Sequence, residues 1–358
     1  MTLKPKTVLI GTLCTALLLL SGCSNVATQP SATPEFTPEP VPSETVEPTL
    51  TLPDEIVPDK IGQLADARIN FQGISRLYSY YIPSTYQSGD KFPLMITLHG
   101  RAFNATQQLA DSQFDKMAES EGFFLIAPNC VTIDNDNNLA SEGYTFRDLS
   151  GVPANNIRWN AMYPFYDIYG VNDVAYISAL IDYFAENFGI DTDRVYLTGM
   201  SNGALMSMRL ATELDDKIAG IGAVAGTISY EFMENGITGP MKIVMINGDE
   251  DPTVSIDGSS YYSPSIWEAA AWFNEQLGIT GDPVITELPQ AVEEDPTKVV
   301  KYEWPEKDGS QVVIYLVEGG GHTWPGGTQY FPESQIGRLS MHYSASELIW
   351  DELKDFHK

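Results

Sequence analysis

Short apolar runs alternate with longer amphipathic stretches along most of this chain. Short runs are typical of buried strands, whereas apolar positions repeated every three or four residues are typical of helices. The predicted strands are Ser75–Ile82, Leu94–Leu98, Phe123–Ala127, Arg194–Thr198 and Val312–Val317, with further short runs at Ile218–Ala225 and Lys242–Ile246. The predicted helices are Ala105–Glu121, Asn172–Phe188, Ala204–Leu214, Pro264–Leu277 and Ala345–Phe356. This alternation predicts an α/β fold, with a mostly parallel sheet covered by helices on both faces.

The first residues of the chain do not follow this alternation. Lys4 and Lys6 precede an apolar run at 8–20, and Leu-Ser-Gly-Cys then ends at Cys23. A basic start, a short apolar run and small residues are typical of a secretory signal peptide, here predicted at 1–22. The residues before Cys23 resemble a bacterial lipobox, which implies that Cys23 becomes the lipidated first residue of the mature protein. A plain signal peptide cut elsewhere, or an uncleaved anchor, is the alternative.

Residues 23–60 are rich in Pro, Thr, Ser and Glu and contain few large apolar side chains. Such a segment cannot bury enough surface to fold alone, so we predict a disordered tether. Its extended length is roughly 100 Å. Residues 61–358 are then the catalytic domain, and no internal repeat divides them.

Charge and cysteine content narrow the function. The chain has 48 acidic and 20 basic side chains, giving a net charge of −28. A surface of this charge repels phosphate backbones, so nucleic acid is excluded as an expected partner. Cys14 lies in the predicted signal peptide and Cys23 at the predicted lipid site, which leaves Cys130 alone in the domain. No disulfide is therefore expected there, and Cys130 is interpreted as a packed small hydrophobic residue rather than a nucleophile.

Residues 199–203 carry the sequence Gly-Met-Ser-Asn-Gly between a predicted strand and a predicted helix. This is the setting of a nucleophile elbow, in which glycines let the helix pass close to the strand while Ser201 projects from a tight turn. An ordinary strand-to-helix turn is the alternative. The flanking elements favour the elbow, so Ser201 is the candidate nucleophile.

A serine hydroxyl needs a base to take its proton. The chain has four histidines, and His322 lies in a Gly-rich loop directly after a predicted strand. It also comes after the serine, which agrees with the order serine, acid, histidine in which the triad residues of α/β-hydrolases occur along the chain. The acid is expected between them, after the run Lys242–Ile246. Asp249 and Asp251 both lie there, and spacing alone does not choose between them.

An oxyanion needs two amide donors. The Asn202 N–H follows the nucleophile directly, and the second donor is expected in the loop after Leu94–Leu98, with Arg101 preferred over Ala102. Trp159 and Trp324 are candidate substrate-binding residues. Trp159 belongs to a segment at 134–170 that breaks the alternation and is dense in aromatic residues. Such a segment either forms a platform for a sugar or aromatic acyl group, or covers one edge of the sheet.

From about Gly73 to His357 the chain resembles the polyhydroxybutyrate depolymerase and feruloyl esterase group of α/β-hydrolases, also called carbohydrate esterase family one. The matching residues are Pro93-Leu94, Leu98-His99-Gly100, Asp173-Val174, Arg194-Val195-Tyr196, the elbow at 199–203, Gly248 with Asp251-Pro252, and Gly321-His322-Thr323-Trp324-Pro325-Gly326. The resemblance implies the α/β-hydrolase fold and places the family's acid on Asp251. Two positions depart from the family pattern: Arg101 stands where a small residue or cysteine is frequent, and Asn247 replaces a frequent histidine.

The residues and the resemblance together predict a secreted, lipid-anchored serine esterase on the outer face of a bacterial cell membrane. The resemblance implies feruloyl or acetyl esters of plant-wall polysaccharide as substrates, and hydroxyalkanoate polyesters as the alternative. No metal or organic cofactor is expected, and the lipid is the only expected membrane contact. A serine peptidase and a non-catalytic binding lipoprotein are the other classes that the same residues allow.

Overall fold

The computed structural model describes residues 60–133, 139–140, 157–162, 170–259 and 262–358. Its strands are β1 (Ala65–Phe71), β2 (Ile74–Tyr81), β3 (Leu94–Leu98), β4 (Phe124–Pro128), β5 (Thr132–Ile133), β6 (Leu139–Ala140), β7 (Val195–Met200), β8 (Gly220–Val224), β9 (Lys242–Gly248), β10 (Val284–Glu287), β11 (Lys298–Glu303) and β12 (Gln311–Glu318). Its helices are α1 (Ala105–Ser112), α2 (Phe114–Glu121), α3 (Asp173–Phe188), α4 (Asn202–Glu213), α5 (Ile266–Gln276), α6 (Glu333–Ile336) and α7 (Ala345–Leu353), with a short 3-10 helix at Tyr230–Glu234.

One sheet dominates the described residues, in the order β1-β2-β4-β3-β7-β8-β9-β12-β11-β10. Its central strands, from β4 to β12, run parallel, and antiparallel strands extend both edges. Parallel strands end at the same edge of a sheet, so the loops that follow β3, β7, β9 and β12 meet there. In open α/β sheets this edge is where ligands bind.

Both faces of the sheet are covered. Ile243 and Met245 of β9 join the apolar cluster formed with α3, α4 and α5, whereas Val244 between them joins the cluster formed with α1, α2 and α7. Alternate side chains of a strand point to opposite faces, so the helices lie on opposite sides of the sheet. The predicted fold class, a mostly parallel sheet with helices on both faces, is confirmed.

The helix predicted at Ala105–Glu121 is wrong as a single element. Gln113 has a left-handed backbone (φ 54°), and its N–H closes α1 on the Leu109 carbonyl at 2.8 Å before α2 begins. Leu109 and Phe114 are both buried in the same cluster. Five residues along a straight helix turn through 500°, which would put these two side chains about 140° apart. The break brings both onto the core.

Three predictions concern residues outside those described: the signal peptide at 1–22, the lipidation of Cys23 and the tether, of which Lys60 alone is described. Most of the segment 134–170 is also outside them. Within the described ranges, no helix combines the length and apolar character that crossing a membrane requires. The boundaries of the predicted domain at 61–358 stay a prediction.

Candidate active site

Ser201 lies in a strained turn between β7 and α4. Its backbone has φ 54° and ψ −118°, a conformation that residues with a Cβ atom rarely adopt, and its N–H donates to the Val224 carbonyl at 2.9 Å. A Cβ atom on Gly199 would lie 2.6 Å from the Gly203 carbonyl carbon, and one on Gly203 would lie 2.1 Å from the Leu98 oxygen. Both elbow glycines are therefore required by close approach of backbone segments.

Asp251 and His322 meet where the loops after β9 and β12 come together. His322 Nδ1 lies 2.6 Å from Asp251 Oδ2, and the side chains of His322 and Asp251 are 7% and 1% exposed. The N–H groups of Thr253 and Val254 donate to Asp251 Oδ1 at 2.7 and 2.8 Å. An ionised carboxylate only accepts, so the proton of the neutral imidazole resides on Nδ1. Nε2 is left as the acceptor that a general base needs.

Asp249 has a different role in the same loop. Its Oδ1 accepts from the Gly319 N–H at 2.6 Å, and the residue is exposed. The loops after β9 and β12 approach so closely that a Cβ atom on Gly248 would lie 2.2 Å from the Gly320 oxygen. The structure thus pairs Asp251, rather than Asp249, with the histidine.

The His322 loop is held in place by hydrogen bonds to the backbone of His322 and of the residue before it. The His322 N–H donates to the Ile336 carbonyl at 2.5 Å, and the Tyr330 hydroxyl donates to the His322 carbonyl at 2.6 Å. The preceding Gly321 N–H donates to the Arg338 carbonyl at 2.8 Å. The base therefore lies on a braced loop, which favours a fixed position relative to the sheet.

Ser201 and His322 line the same cavity, of about 160 Å³, at the carboxyl edge of the sheet. The apolar lining residues include Ile336 and three aromatic residues, Phe103, Tyr330 and Phe331, whose rings contact one another and form one wall. Other lining residues are Gly100, Arg101, Gln107, Gln108, Asp111, Met200 and Thr253. The predicted nucleophile, base and acid are brought to one place, which permits acyl transfer chemistry.

Comparison with known proteins gives relatives that are named as esterases. A model of the phospholipase/carboxylesterase family matches residues 169–270. NocK of Nocardia uniformis subsp. tsuyamanensis, named as an esterase, is 27% identical over 356 residues, or 94% of this chain and 95% of that protein. The bifunctional acetylxylan esterase/xylanase XynS20E of Neocallimastix patriciarum is 25% identical over 51% of this chain and 22% of its own length. Feruloyl esterase B of Talaromyces stipitatus is 25% identical over 56% of this chain and 47% of its own length.

The chain has the α/β-hydrolase fold. The family match contains both the elbow serine and the loop that supplies Asp251, and NocK matches over nearly its whole length. These findings confirm the predicted resemblance and the predicted class of enzyme, a carboxylic-ester hydrolase. The individual roles of the site residues stay predictions, which the geometry supports to different degrees.

The two residues predicted to supply the oxyanion donors of this hydrolase, Asn202 and Arg101, both lie near Ser201. Asn202 is the first residue of α4, where backbone N–H groups lack an acceptor within the helix. Its side chain makes two hydrogen bonds to the backbone of Trp159: Oδ1 accepts from the N–H at 2.6 Å, and Nδ2 donates to the carbonyl at 3.3 Å. The Ala102 N–H donates to the Ile157 carbonyl at 2.8 Å, so the second choice already has an acceptor. Arg101 lines the cavity and stays the prediction.

Trp159 and Trp324 lie in the core of the hydrolase, and both are 1% exposed. The Trp159 indole donates to the His99 carbonyl at 3.0 Å, and the Trp324 indole donates to the Ser346 hydroxyl at 3.1 Å. Neither ring lines the cavity that Ser201 and His322 share. Both indoles hydrogen-bond to other parts of the fold from buried positions, and their predicted contact with the substrate stays a prediction.

Two other histidines, His99 and His342, are buried and hydrogen-bonded to the backbone. His99 Nδ1 lies 2.8 Å from the Gly100 carbonyl, and the Cys130 N–H donates to Nε2 at 3.2 Å. Complete burial lowers the pKa of His99 to about 4, so it is neutral at pH 7. His342 accepts from two backbone N–H groups and is also buried. Burial raises the pKa of the Cys130 thiol, as expected of an inert packed cysteine.

Sequence reasoning missed most of the cavity wall. Tyr330 and Phe331 follow the histidine motif in a stretch without periodicity, and Gln107 and Asp111 belong to a helix whose polar residues are typical of a solvated face. The spacing of Gln107 and Asp111, four residues apart on one helix, was the only signal that they share a face. Nothing in the sequence said that this face lines the cavity.

Proposed function

We propose that this chain is a serine esterase that hydrolyses hydroxycinnamoyl esters, such as the feruloyl esters of plant-wall polysaccharide. The cavity at Ser201 and His322 carries the proposal. Its volume of about 160 Å³ is that of a space for one aromatic ring, since an engineered protein cavity of about 150 Å³ binds benzene. An acetyl group would leave most of this space empty.

The wall of the cavity has the chemistry that an aromatic acyl group needs. The ring centroids of Phe103 and Tyr330 are 5.2 Å apart, and those of Tyr330 and Phe331 are 5.4 Å apart, both in edge-to-face arrangements. Aromatic rings at such separations attract a further ring in the same geometry. A flat acyl group is therefore stabilised against this wall by more than its apolar area alone.

The reaction follows from the positions of the three side chains. Ser201 Oγ attacks the ester carbonyl while His322 Nε2 takes the hydroxyl proton, and Asp251 stabilises the resulting imidazolium. The N–H groups of Asn202 and Arg101 hold the oxyanion. When the carbon–oxygen bond to the alcohol breaks, His322 returns the proton to the leaving alcohol. Water then attacks the acyl-enzyme in the same way and releases the acid and free Ser201.

Acetyl esters are the second candidate. Two of the relatives are named for acetylxylan and for feruloyl esters, and they match this chain over 51% and 56% of its length. A substrate panel separates the two chemistries. We expect the highest kcat/KM on methyl ferulate, a lower value on acetylated xylan and little turnover of hydroxybutyrate oligomers. Turnover of acetylated xylan alone would make the enzyme an acetyl esterase.

The nucleophile is tested with Ser201→Ala. We expect this variant to lose both labelling by a fluorophosphonate probe and hydrolysis of p-nitrophenyl acetate, with an unchanged melting temperature. Retained turnover would rule out Ser201. Cleavage of peptide amides without ester cleavage would favour a serine peptidase, and unlabelled wild-type protein would favour a non-catalytic lipoprotein.

We also propose that the enzyme is exported and held by lipid at Cys23 on the outer face of a bacterial membrane. The basic start, the apolar run at 8–20 and the small residues before the cysteine support this placement. The Cys23→Ser variant should shift from the membrane pellet to the soluble fraction and should lose incorporation of labelled fatty acid. Membrane retention of the variant would contradict lipidation at this residue.

A further inference from the structure

Helix α1 contributes polar side chains to the same cavity. Gln107, Gln108 and Asp111 line the cavity together with Ser201. Gln108 is turned to the core, where its Nε2 donates to the Thr97 hydroxyl at 3.0 Å. These polar side chains can form a hydrogen bond with a bound aromatic acyl group only if that group carries a polar substituent.

Of these three side chains, Asp111 is the one that can ionise. It is buried, with 6% of the residue exposed. Gln107 Nε2 donates to its Oδ2 at 3.1 Å, and the Thr328 hydroxyl donates to its Oδ1. Burial raises the pKa of this carboxyl group. A carboxylate has about four acceptor sites, so these two protein donors leave room for another.

We propose that Asp111 accepts a hydrogen bond from a hydroxyl group on the acyl part of the substrate. The proposal rests on the proposed esterase function and names the feature that selects its substrate. Placing an acyl group in the cavity separates Asp111 from solvent, and a buried carboxylate without enough donors is strongly unfavourable. An acyl group with a hydroxyl supplies the donor, whereas an unsubstituted ring does not. Sites of this kind reject the analogue that lacks the hydroxyl.

Two kinds of acyl group carry such a hydroxyl: a phenolic ring and an aliphatic 3-hydroxyacyl chain. The wall formed by Phe103, Tyr330 and Phe331 favours the phenolic ring. The test therefore uses two matched pairs of methyl esters, 4-hydroxycinnamate with cinnamate and 3-hydroxybutyrate with butyrate. Each pair differs only in the hydroxyl.

In the wild-type enzyme we expect kcat/KM for 4-hydroxycinnamate to exceed that for cinnamate by roughly tenfold to a hundredfold, the range of one hydrogen bond to a charged group. The aliphatic pair should differ by less. Ratios near one in both pairs overturn the proposal whether or not any variant folds. A large ratio confined to the aliphatic pair assigns the site to hydroxyalkanoate substrates instead.

The variant Asp111→Asn keeps the size of the side chain and removes its charge. We expect the aromatic ratio to fall at least several-fold, mainly through 4-hydroxycinnamate. The matched control is Asp308→Asn, which makes the same change on an exposed turn, where the side chain is 83% exposed. This control should keep the wild-type ratio, and an unchanged ratio in Asp111→Asn overturns the proposal.

Failure of the inference is distinct from failure of the proposed function. If the wild-type enzyme hydrolyses the two cinnamates equally and the two aliphatic esters equally, it is an esterase of aromatic acids and only the role of Asp111 is refuted. If it hydrolyses neither cinnamate but turns over acetyl esters, the proposed function itself is refuted, and the role of Asp111 falls with it.

Discussion

Replacing Asp251 by Asn tests whether the Asp251–His322 pair is the proton-transfer unit. The amide oxygen can keep the bonds from the Thr253 and Val254 N–H groups, which lie 2.7 and 2.8 Å from Oδ1. The amide NH₂ group then faces His322 Nδ1, which is 2.6 Å from Oδ2 in the native pair. Two donors cannot share this contact, so the imidazole takes the other tautomer and its Nε2 carries the proton. It can no longer accept the Ser201 proton.

A wrong tautomer of this kind costs about ten-thousand-fold in kcat. At about 1.36 kcal/mol for each factor of ten, the loss is about 5.4 kcal/mol of transition-state stabilisation. The assay is kcat on p-nitrophenyl acetate, with the melting temperature measured beside it because the fold should be retained. More than a tenth of wild-type kcat in Asp251→Asn would refute the reasoning.

Asp249→Asn is the matched control from the same loop. The Asn side-chain oxygen still accepts from the Gly319 N–H, which lies 2.6 Å from Asp249 Oδ1, and the residue is exposed. Exposed substitutions of this kind change stability by less than about 0.5 kcal/mol, and we expect kcat within about twofold of wild type. An equal loss in both variants would show that the loop, rather than the carboxylate of Asp251, is what matters.

Two further predictions concern residues that support the site. Burial lowers the pKa of His99 to about 4, whereas an unfolded chain binds this proton below about 6.5, so stability is retained above pH 6.5 and falls by up to about 3 kcal/mol towards pH 4. His99→Gln should remove this part of the pH slope in urea unfolding, and an unchanged slope would contradict it. Tyr330→Phe removes the donor to the His322 carbonyl, 2.6 Å away. Losing one buried partner costs about 1–3 kcal/mol, so kcat should fall about tenfold, and a change in KM alone would contradict a positioning role.

The central strands were predictable because they are buried on both faces and therefore read as continuous apolar runs. Leu94–Leu98 was predicted with the bounds that the structure gives, and every residue of β3 is buried. The edge strand β10 was missed because all its residues are exposed, and β11 because Lys298, Lys301 and Glu303 interrupt its apolar residues. Strands with exposed or charged residues leave a weaker pattern in the sequence than strands that are buried on both faces.

The same distinction applies to the site. The elbow at 199–203 and the Gly-rich loop at His322 were readable because glycines are required where backbone segments approach within 2.1–2.6 Å of a missing Cβ atom. Spacing alone did not choose between Asp249 and Asp251, since both follow the same strand and the approach of β12 decides which carboxylate meets the imidazole; only the family resemblance pointed to Asp251. The cavity wall at Asp111 and Tyr330 was invisible for the same reason, because it is assembled by tertiary contacts between distant segments.

Tyr330 joins substrate binding to catalysis. Its ring lines the cavity, 5.2 Å from Phe103, while its hydroxyl donates to the carbonyl of His322. An acyl ring packed against Tyr330 therefore contacts the residue whose hydroxyl holds the backbone of the base in place. Changes at Phe103 should alter KM for aromatic esters, and changes at Tyr330 should alter kcat as well. The wall that selects the acyl group thus also fixes the base that hydrolyses it.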